Sequence, residues 1–278
     1  MTAENTSKHG LRRWPRALLL ILFASVLTAQ AETAPIVFES TDTPPFWSPE
    51  LPDDGLSGSL LKLLSANAGV KYTIDYLPVK RFRQSQATFI VGDPDILVNK
   101  RPRAILPFGV FRSSFFYYKP HQDVIAFHSL RELRGRTLGV LRGTIEDKAV
   151  FAENGINVEE SDTVESLLRK LRRGRIDLCI VVNLTGKYVV KQLFPQETEQ
   201  FATVEVPGSV RPIAIMIDVS DPRGRQVAQQ YRAVLDNTID SPEYLHVLEQ
   251  FYGVGNIPRD RLENLKRFER YYAAEGNE

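Results

Sequence analysis

The segment Thr137-Leu138-Gly139-Val140-Leu141-Arg142-Gly143-Thr144-Ile145-Glu146-Asp147 carries the densest chemistry in this 278-residue chain. Leu138 and Val140 alternate as in a buried strand, and Gly143 lets the backbone turn sharply and come close to a ligand. Thr144 is a good N-cap with Asp147 as a near capping-box partner, so the spacing predicts a helix from this turn to about Asn154. Such a turn aims free backbone N–H groups and the positive end of a helix at one point, which suits a carboxylate or phosphate. The same residues also suit an ordinary capped helix that binds nothing.

Other reactive side chains are sparse. Cys179 is the single cysteine and lies in the apolar run Ile176–Val182, as an inert core residue would. His121 and His128 stand in a polar stretch and His246 stands alone, without metal-ligand spacing. No cofactor is expected.

The elements that position the Gly143 turn are read from a repeat. Gly92-Asp93-Pro94-Asp95-Ile96-Leu97-Val98-Asn99 and Gly174-Arg175-Ile176-Asp177-Leu178-Cys179-Ile180-Val181-Val182-Asn183 share Gly-x-x-Asp, a short apolar strand and then Asn. An amphipathic helix precedes the second copy, with Val164, Leu167, Leu168 and Leu171 on one face, and ends in cations and Gly174. Each copy has an earlier strand. In the first half it is Ile36–Ser40, followed by the loop to Trp47, a helix from about Ser59 to Ala68 and a strand Tyr72–Tyr76. In the second it is Thr137–Leu141. The expected fold class is α/β, with two lobes, each a mostly parallel sheet flanked by helices, and ligands of such sheets sit at the carboxyl ends of strands. Residues 111–118 read as an extended strand leaving the first lobe, and residues 204–206 and 211–217 as the return. The expected lobes are therefore 32–118 with 207–278, and 119–206, joined by a short double hinge. Further helices are expected from Asp221 to about Asn237, over Pro242–Tyr252 and over Arg261–Tyr272.

The beginning of the chain reads as a secretory signal. Lys8, Arg12, Arg13 and Arg16 precede the apolar run Ala17–Val26, and Ala29-Gln30-Ala31 is a small-x-small cleavage site. The run is short for a membrane span. Cleavage after Ala31 leaves 278 − 31 = 247 residues, with 35 − 4 = 31 basic and 34 − 1 = 33 acidic residues, a formal net of −2. That charge excludes a nucleic-acid footprint.

The chain resembles the bacterial extracellular solute-binding proteins of family 3 over about Ile36 to Tyr252. The resemblance rests on Pro44-Pro45-Phe46, Gly58 before an apolar helix, Gly92-x-x-Asp95, Arg103 followed by Pro107-Phe108, the run Leu130 to Val140, Gly143-Thr144 and Gly174-x-x-Asp177. It implies a two-lobed type II periplasmic binding protein that closes on its solute. It further implies that an α-carboxylate is clamped between Arg103, with Arg101 as a close rival, and the amides of the Gly143-Thr144 turn. Phe46 and Trp47 match the aromatic that stacks on the ligand, or else they pack the loop onto the core. Asn99 and Asn183, which close the two strand motifs, complete the expected site. Lys100 stands where the family carries Thr, and Val182-Asn183 stand where it carries an ammonium-binding acid, so the solute departs from a standard free amino acid.

Three functions follow from the resemblance. The first is a periplasmic, monomeric receptor for a small polar, carboxylate-bearing solute, handing it to an inner-membrane ABC permease. The second is a sensory module for a separate membrane partner, because no signalling segment follows Tyr272. The third is a dehydratase-type enzyme, for which Glu146 is the one acid near the turn; it is disfavoured because that acid also suits the first turn of a helix.

Overall fold

The computed structural model describes residues 34–99, 101–121, 127–145 and 147–275. The signal segment, Lys100 and Glu146 lie outside these residues. Ala34–Glu278 forms one compact unit. Its strands are β1 (Ile36–Ser40), β2 (Tyr72–Tyr76), β3 (Phe89–Gly92), β4 (Arg103–Phe111), β5 (Ser113–Tyr118), β6 (Thr137–Leu141), β7 (Asn157–Ser161), β8 (Leu178–Val182), β9 (Phe201–Glu205) and β10 (Arg211–Asp218). Its helices are α1 (Gly55–Ala68), α2 (Val79–Phe82), α3 (Ala149–Glu153), α4 (Val164–Arg172), α5 (Asn183–Leu193), α6 (Pro222–Ile239), α7 (Pro242–Tyr252) and α8 (Arg261–Glu275).

The strands form two five-stranded sheets, ordered β2-β1-β3-β10-β4 and β7-β6-β8-β5-β9. In each, the first three strands are parallel and the last two run antiparallel to their neighbours, so the sheets are mixed rather than mostly parallel. The two halves are alike in a specific way. The strand arriving from the other half (β10 or β5) pairs beside the parallel trio, and the strand that leaves (β4 or β9) forms the edge. Ser113–Tyr118, read from sequence as leaving the first half, is paired with β8 and β9 in the second sheet, and the crossing falls at Arg112. The return crossing is residues 206–210. The two crossings are stitched together: Ser113 N–H donates to Ser209 Oγ at 3.2 Å, Ser209 Oγ–H donates to the Ser113 carbonyl at 3.0 Å, and Val206 N–H reaches the same carbonyl at 3.3 Å.

The helices follow their apolar periodicity and caps. In α1, Leu56, Leu60, Leu61 and Leu64 are buried against the first sheet, and Gly69 at φ +65° ends the helix in the left-handed region that favours glycine. Helix α4 is capped by Thr163, whose hydroxyl oxygen accepts from Ser166 N–H at 3.1 Å, and it buries Leu167, Leu168 and Leu171. Asp221 and Ser241 cap α6 and α7, each with proline at the first helical position.

Two expectations are corrected. The strand of the first Gly-x-x-Asp motif precedes the glycine: Phe89–Gly92 is buried throughout, whereas Pro94–Ile96 is a 3-10 turn. Pro94 and Pro102 bracket the later apolar run and supply no N–H for a sheet ladder. The helix expected at Thr144 is also absent. Only the short α3 forms, starting at Ala149, with the Asp147 carboxylate accepting from Ala149 N–H at 2.8 Å.

Gly186 lets α5 seat on β5: a Cβ there meets the Phe116 ring at 2.3–2.9 Å. Gly186→Ala therefore lowers unfolding free energy by roughly 1–3 kcal/mol in urea titrations. Beside it, Glu197 accepts two bonds from the Arg172 guanidinium, both at 2.7 Å, and one from Tyr118 Oη at 2.7 Å. Arg172 first, and then Tyr118, pull the Glu197 carboxyl down from 4.5 to about 2. A lowered folded-state value stabilises the protein above the unfolded value, and that contribution is lost as pH falls through the folded one. Glu197→Gln is accordingly less stable than the parent at neutral pH, and the gap closes between pH 4.5 and about 2 when urea midpoints are followed against pH.

Candidate functional site

The carboxyl ends of β1 and β3 lie at the end of the first sheet where the chain crosses, since Gly92 pairs with Ala214 and Phe111 with Arg211. The carboxyl ends of β6 and β8 lie at the crossing end of the second sheet, where Val182 pairs with Ser113. The loops that follow these strands form the candidate site.

After β1, the loop folds inward. Phe46 and Trp47 are 6% and 3% exposed, with rings 6.1 Å from Phe111 and 6.4 Å from Phe108. The carbonyls of Pro45 and Phe46 accept from Leu56 and Ser57 N–H at 2.8 Å, satisfying the first turn of α1. The two aromatics therefore act as core packing that anchors this loop.

After β3 stand two acids. Asp93 accepts from Asp95 N–H at 3.0 Å, and Arg211 Nη2 lies 3.3 Å from both Asp93 oxygens and 2.6 Å from Asp95 Oδ2. Burial pushes the Asp93 carboxyl up from its ordinary value, against the opposing pull of Arg211. Tyr272 of α8 donates to Asp95 at 3.4 Å.

In the second half, the Gly143 turn is closed on itself. Thr144 N–H and Oγ–H both reach the Leu141 carbonyl, at 3.2 and 2.8 Å. Gly143 adopts φ +77°, in the left-handed region that favours glycine. Lys148 at 2.8 Å and Arg142 at 3.2 Å hold Glu160, and Lys148 leads in pulling its carboxyl below the usual range. Arg142 Nε binds Asp162 at 2.7 Å. The Thr144 amide, expected to receive a solute anion, thus already has an acceptor within the chain.

These loops touch across the two halves: Arg83 Nη1, just after α2, donates to the Gly143 carbonyl at 3.2 Å. Asn183 opens α5 at the crossing, its N–H on the Arg112 carbonyl and its Nδ2 on Ser114 Oγ, both at 2.8 Å. Arg112 itself binds Glu205 at 3.1 Å and Asp260 at 2.5 Å.

Arg103 stands elsewhere. It heads β4 opposite Asp218, at the end of the sheet away from the crossing, about 26 Å along the strand from Phe111. Its Nη1 donates to the Ala87 carbonyl at 2.8 Å, while Nε and Nη2 are buried without partners among the described residues. Arg101 is beside it, on Gln86 and 3.5 Å from Asp218. Asn99 is half-buried in the irregular stretch that returns from the 3-10 turn to β4. The structure therefore gathers Gly143, Thr144 and Asn183 near the crossing. It keeps Phe46 and Trp47 in the core and holds Arg103 apart. Sequence reasoning passed over Glu160 and the Asp93–Arg211 pair. The position of Asp93 directly after the buried run Phe89–Gly92 was the available signal. Among the described residues no cluster of three or more His, Cys, Asp or Glu is arranged for a metal, and no helix is long and apolar enough to cross a membrane.

No family profile and no curated protein matches the sequence. Solved structures do match the fold. The arginine-, lysine-, histidine-binding protein ArtJ from Geobacillus stearothermophilus superposes with a TM-score of 0.58 at 16% identity, covering 84% of this chain and 99% of that one. The substrate-binding protein of an amino acid ABC transporter superposes at 0.56 with 15% identity, covering 78% and 98%. A histidine kinase sensor domain with similarity to periplasmic binding proteins superposes at 0.57 with 13% identity, covering 79% and 96%. At such identities the likeness is one of architecture, and it agrees with the family resemblance drawn from the motifs. Two mixed sheets, a double crossing and strand ends that meet across it give this chain the two-lobed fold of the type II periplasmic binding proteins.

Proposed function

We propose that the chain is a periplasmic receptor that captures a small polar solute between its lobes and delivers it to an inner-membrane ABC permease. The observation that carries this reading is the pair of stitched crossings, with the loops after the parallel strands facing each other and touching through Arg83 and Gly143. The lobes in this reading are residues 34–111 with 211–275, and 113–205. A solute that contacts both lobes binds their closed arrangement better and shifts the population toward it. Export with cleavage after Ala31 belongs to the same reading, as does a chain that works without catalysing a reaction.

The solute carries a carboxylate, as an amino acid analogue or another small organic acid does. Arg83 is the residue we assign to it: its planar fork suits a carboxylate, which it would take by two parallel bonds at the place where it now reaches the Gly143 carbonyl. Thr144 and Asn183 line the opposite wall. Arg103 serves the far end of the first lobe, and Phe46 and Trp47 hold the loop above the site. A sensory role is the second reading. It is favoured by the likeness to a kinase sensor domain and by the contact of Arg112, in the first crossing, with Asp260 at the start of α8.

Thermal-shift screening of the exported form against amino acids, organic acids and small amines tests the proposal. A solute at a hundredfold excess over its Kd raises stability by about 2.7 kcal/mol. Arg83→Ala weakens a carboxylate solute by about tenfold or more in calorimetry. Arg103→Ala lowers the melting temperature and leaves affinity unchanged. Loss of affinity in Arg103→Ala but not in Arg83→Ala reverses the assignment, and no stabilising solute in any class removes the receptor reading.

A further inference from the structure

The end of the second lobe opposite the crossing carries an uncompensated group of arginines. Three segments meet there. Asp177 N–H donates to the Thr137 carbonyl at 2.9 Å and Thr137 N–H to the Asp177 carboxylate at 2.7 Å, which brings Arg175 beside the start of β6. His121 Nε2 lies 2.9 Å from the Arg172 carbonyl, which brings in the segment after β5. Gly135 N–H donates to the Gly155 carbonyl at 2.8 Å, which seats the turn carrying Arg131 and Arg134. Arg131, Arg134, Arg173 and Arg175 are all exposed, and their guanidinium groups have no ion pair or hydrogen bond among the described residues.

The neighbouring acids do not balance them. Glu132 accepts from His128 N–H at 3.0 Å, Asp177 from Thr137 N–H, and Glu197 is held by Arg172 at 2.7 Å. Glu153 and Glu199 remain as exposed acids near this end, and Lys119 adds a further cation there. The excess is local, because the exported chain as a whole has 31 basic and 33 acidic residues. In the second lobe the one large apolar side chain exposed among the described residues is Val150, so the described residues at this end offer charge. Arginine forks in such an array match phosphate oxygens presented side by side.

We propose that this basic end of the second lobe docks on an anionic phospholipid surface, through headgroup phosphates and without insertion. The docked molecule keeps its cleft clear, since the arginines sit at the amino ends of β6 and β8 and the cleft at their carboxyl ends. This inference stands apart from the solute: it holds whether the cleft serves transport or sensing.

The test is co-sedimentation of residues 32–278 with vesicles, because the leader's apolar run would itself partition into a bilayer. The expected result is binding to vesicles with about 30% phosphatidylglycerol, none to pure phosphatidylcholine, and loss of binding in roughly 0.5 M salt. Arg131→Gln/Arg134→Gln/Arg173→Gln/Arg175→Gln loses binding by about tenfold or more. Arg232→Gln/Arg259→Gln/Lys266→Gln/Arg270→Gln, which removes the same charge from the first lobe, retains it. Far-ultraviolet circular dichroism and the thermal midpoint confirm that both variants are folded. Equal losses in the two variants, equal binding to neutral and anionic vesicles, or no binding to either would each overturn the proposal.

Discussion

The two lobes are held by one short junction, and the rest of the architecture answers to it. Arg112 carries the chain out and residues 206–210 carry it back, with Ser113 and Ser209 bonded to each other between them. Because both crossings leave from the same end of each sheet, the loops after the parallel strands must converge there. The buried residues of the two halves fall in separate clusters: α1, α6 and α7 close the first sheet, with Val182 and Leu184 of the second half packed against its margin, and α4 and α5 close one face of the second. In the proposed reading the lobes bend about this junction while each buried cluster keeps its own packing.

Electrostatics at the convergence point are largely self-satisfied. The Gly143 carbonyl accepts from Arg83, Arg142 is shared by Glu160 and Asp162, and Arg211 by Asp93 and Asp95. In the proposed reading a solute there chiefly exchanges partners, with Arg211 Nε the buried donor that has none among the described residues. The free-energy gain is then the difference between two sets of charge-assisted bonds, which makes the site selective for solutes that replace both halves of an exchange. The raised Asp93 carboxyl fits this picture, because its burial is only partly offset by Arg211.

Much of the fold was legible in the sequence, and the reasons are local. Helix α4 announces itself through Thr163, the leucine stripe and Gly174, and α7 through Ser241-Pro242. The alternation in Ile36–Ser40 and Thr137–Leu141 is that of the strands found there. Non-local choices were not legible. The apolar runs Phe89–Val91 and Ile96–Val98 look alike by periodicity, and only pairing with β1 and β10 selects the first. The register that puts Ser113–Tyr118 in the second sheet depends on β8 and β9, far along the chain. Site residues were harder still. Gly143 and Asn183 lie near the crossing because they follow strands. Arg103 was drawn in by its basic neighbours and its motif, whereas its strand starts at the opposite end of the sheet.

The central claim is that a solute brings the two lobes together about the Arg112 junction. A spin-label pair at Thr73→Cys and Lys191→Cys, one on each lobe, reads this motion by pulsed electron resonance, with Cys179 buried and its thiol pushed far up by burial so that it does not take the label. The account predicts a broad distance distribution that narrows and shifts when the stabilising solute is added. An unchanged distribution, while calorimetry shows the solute bound, would contradict it.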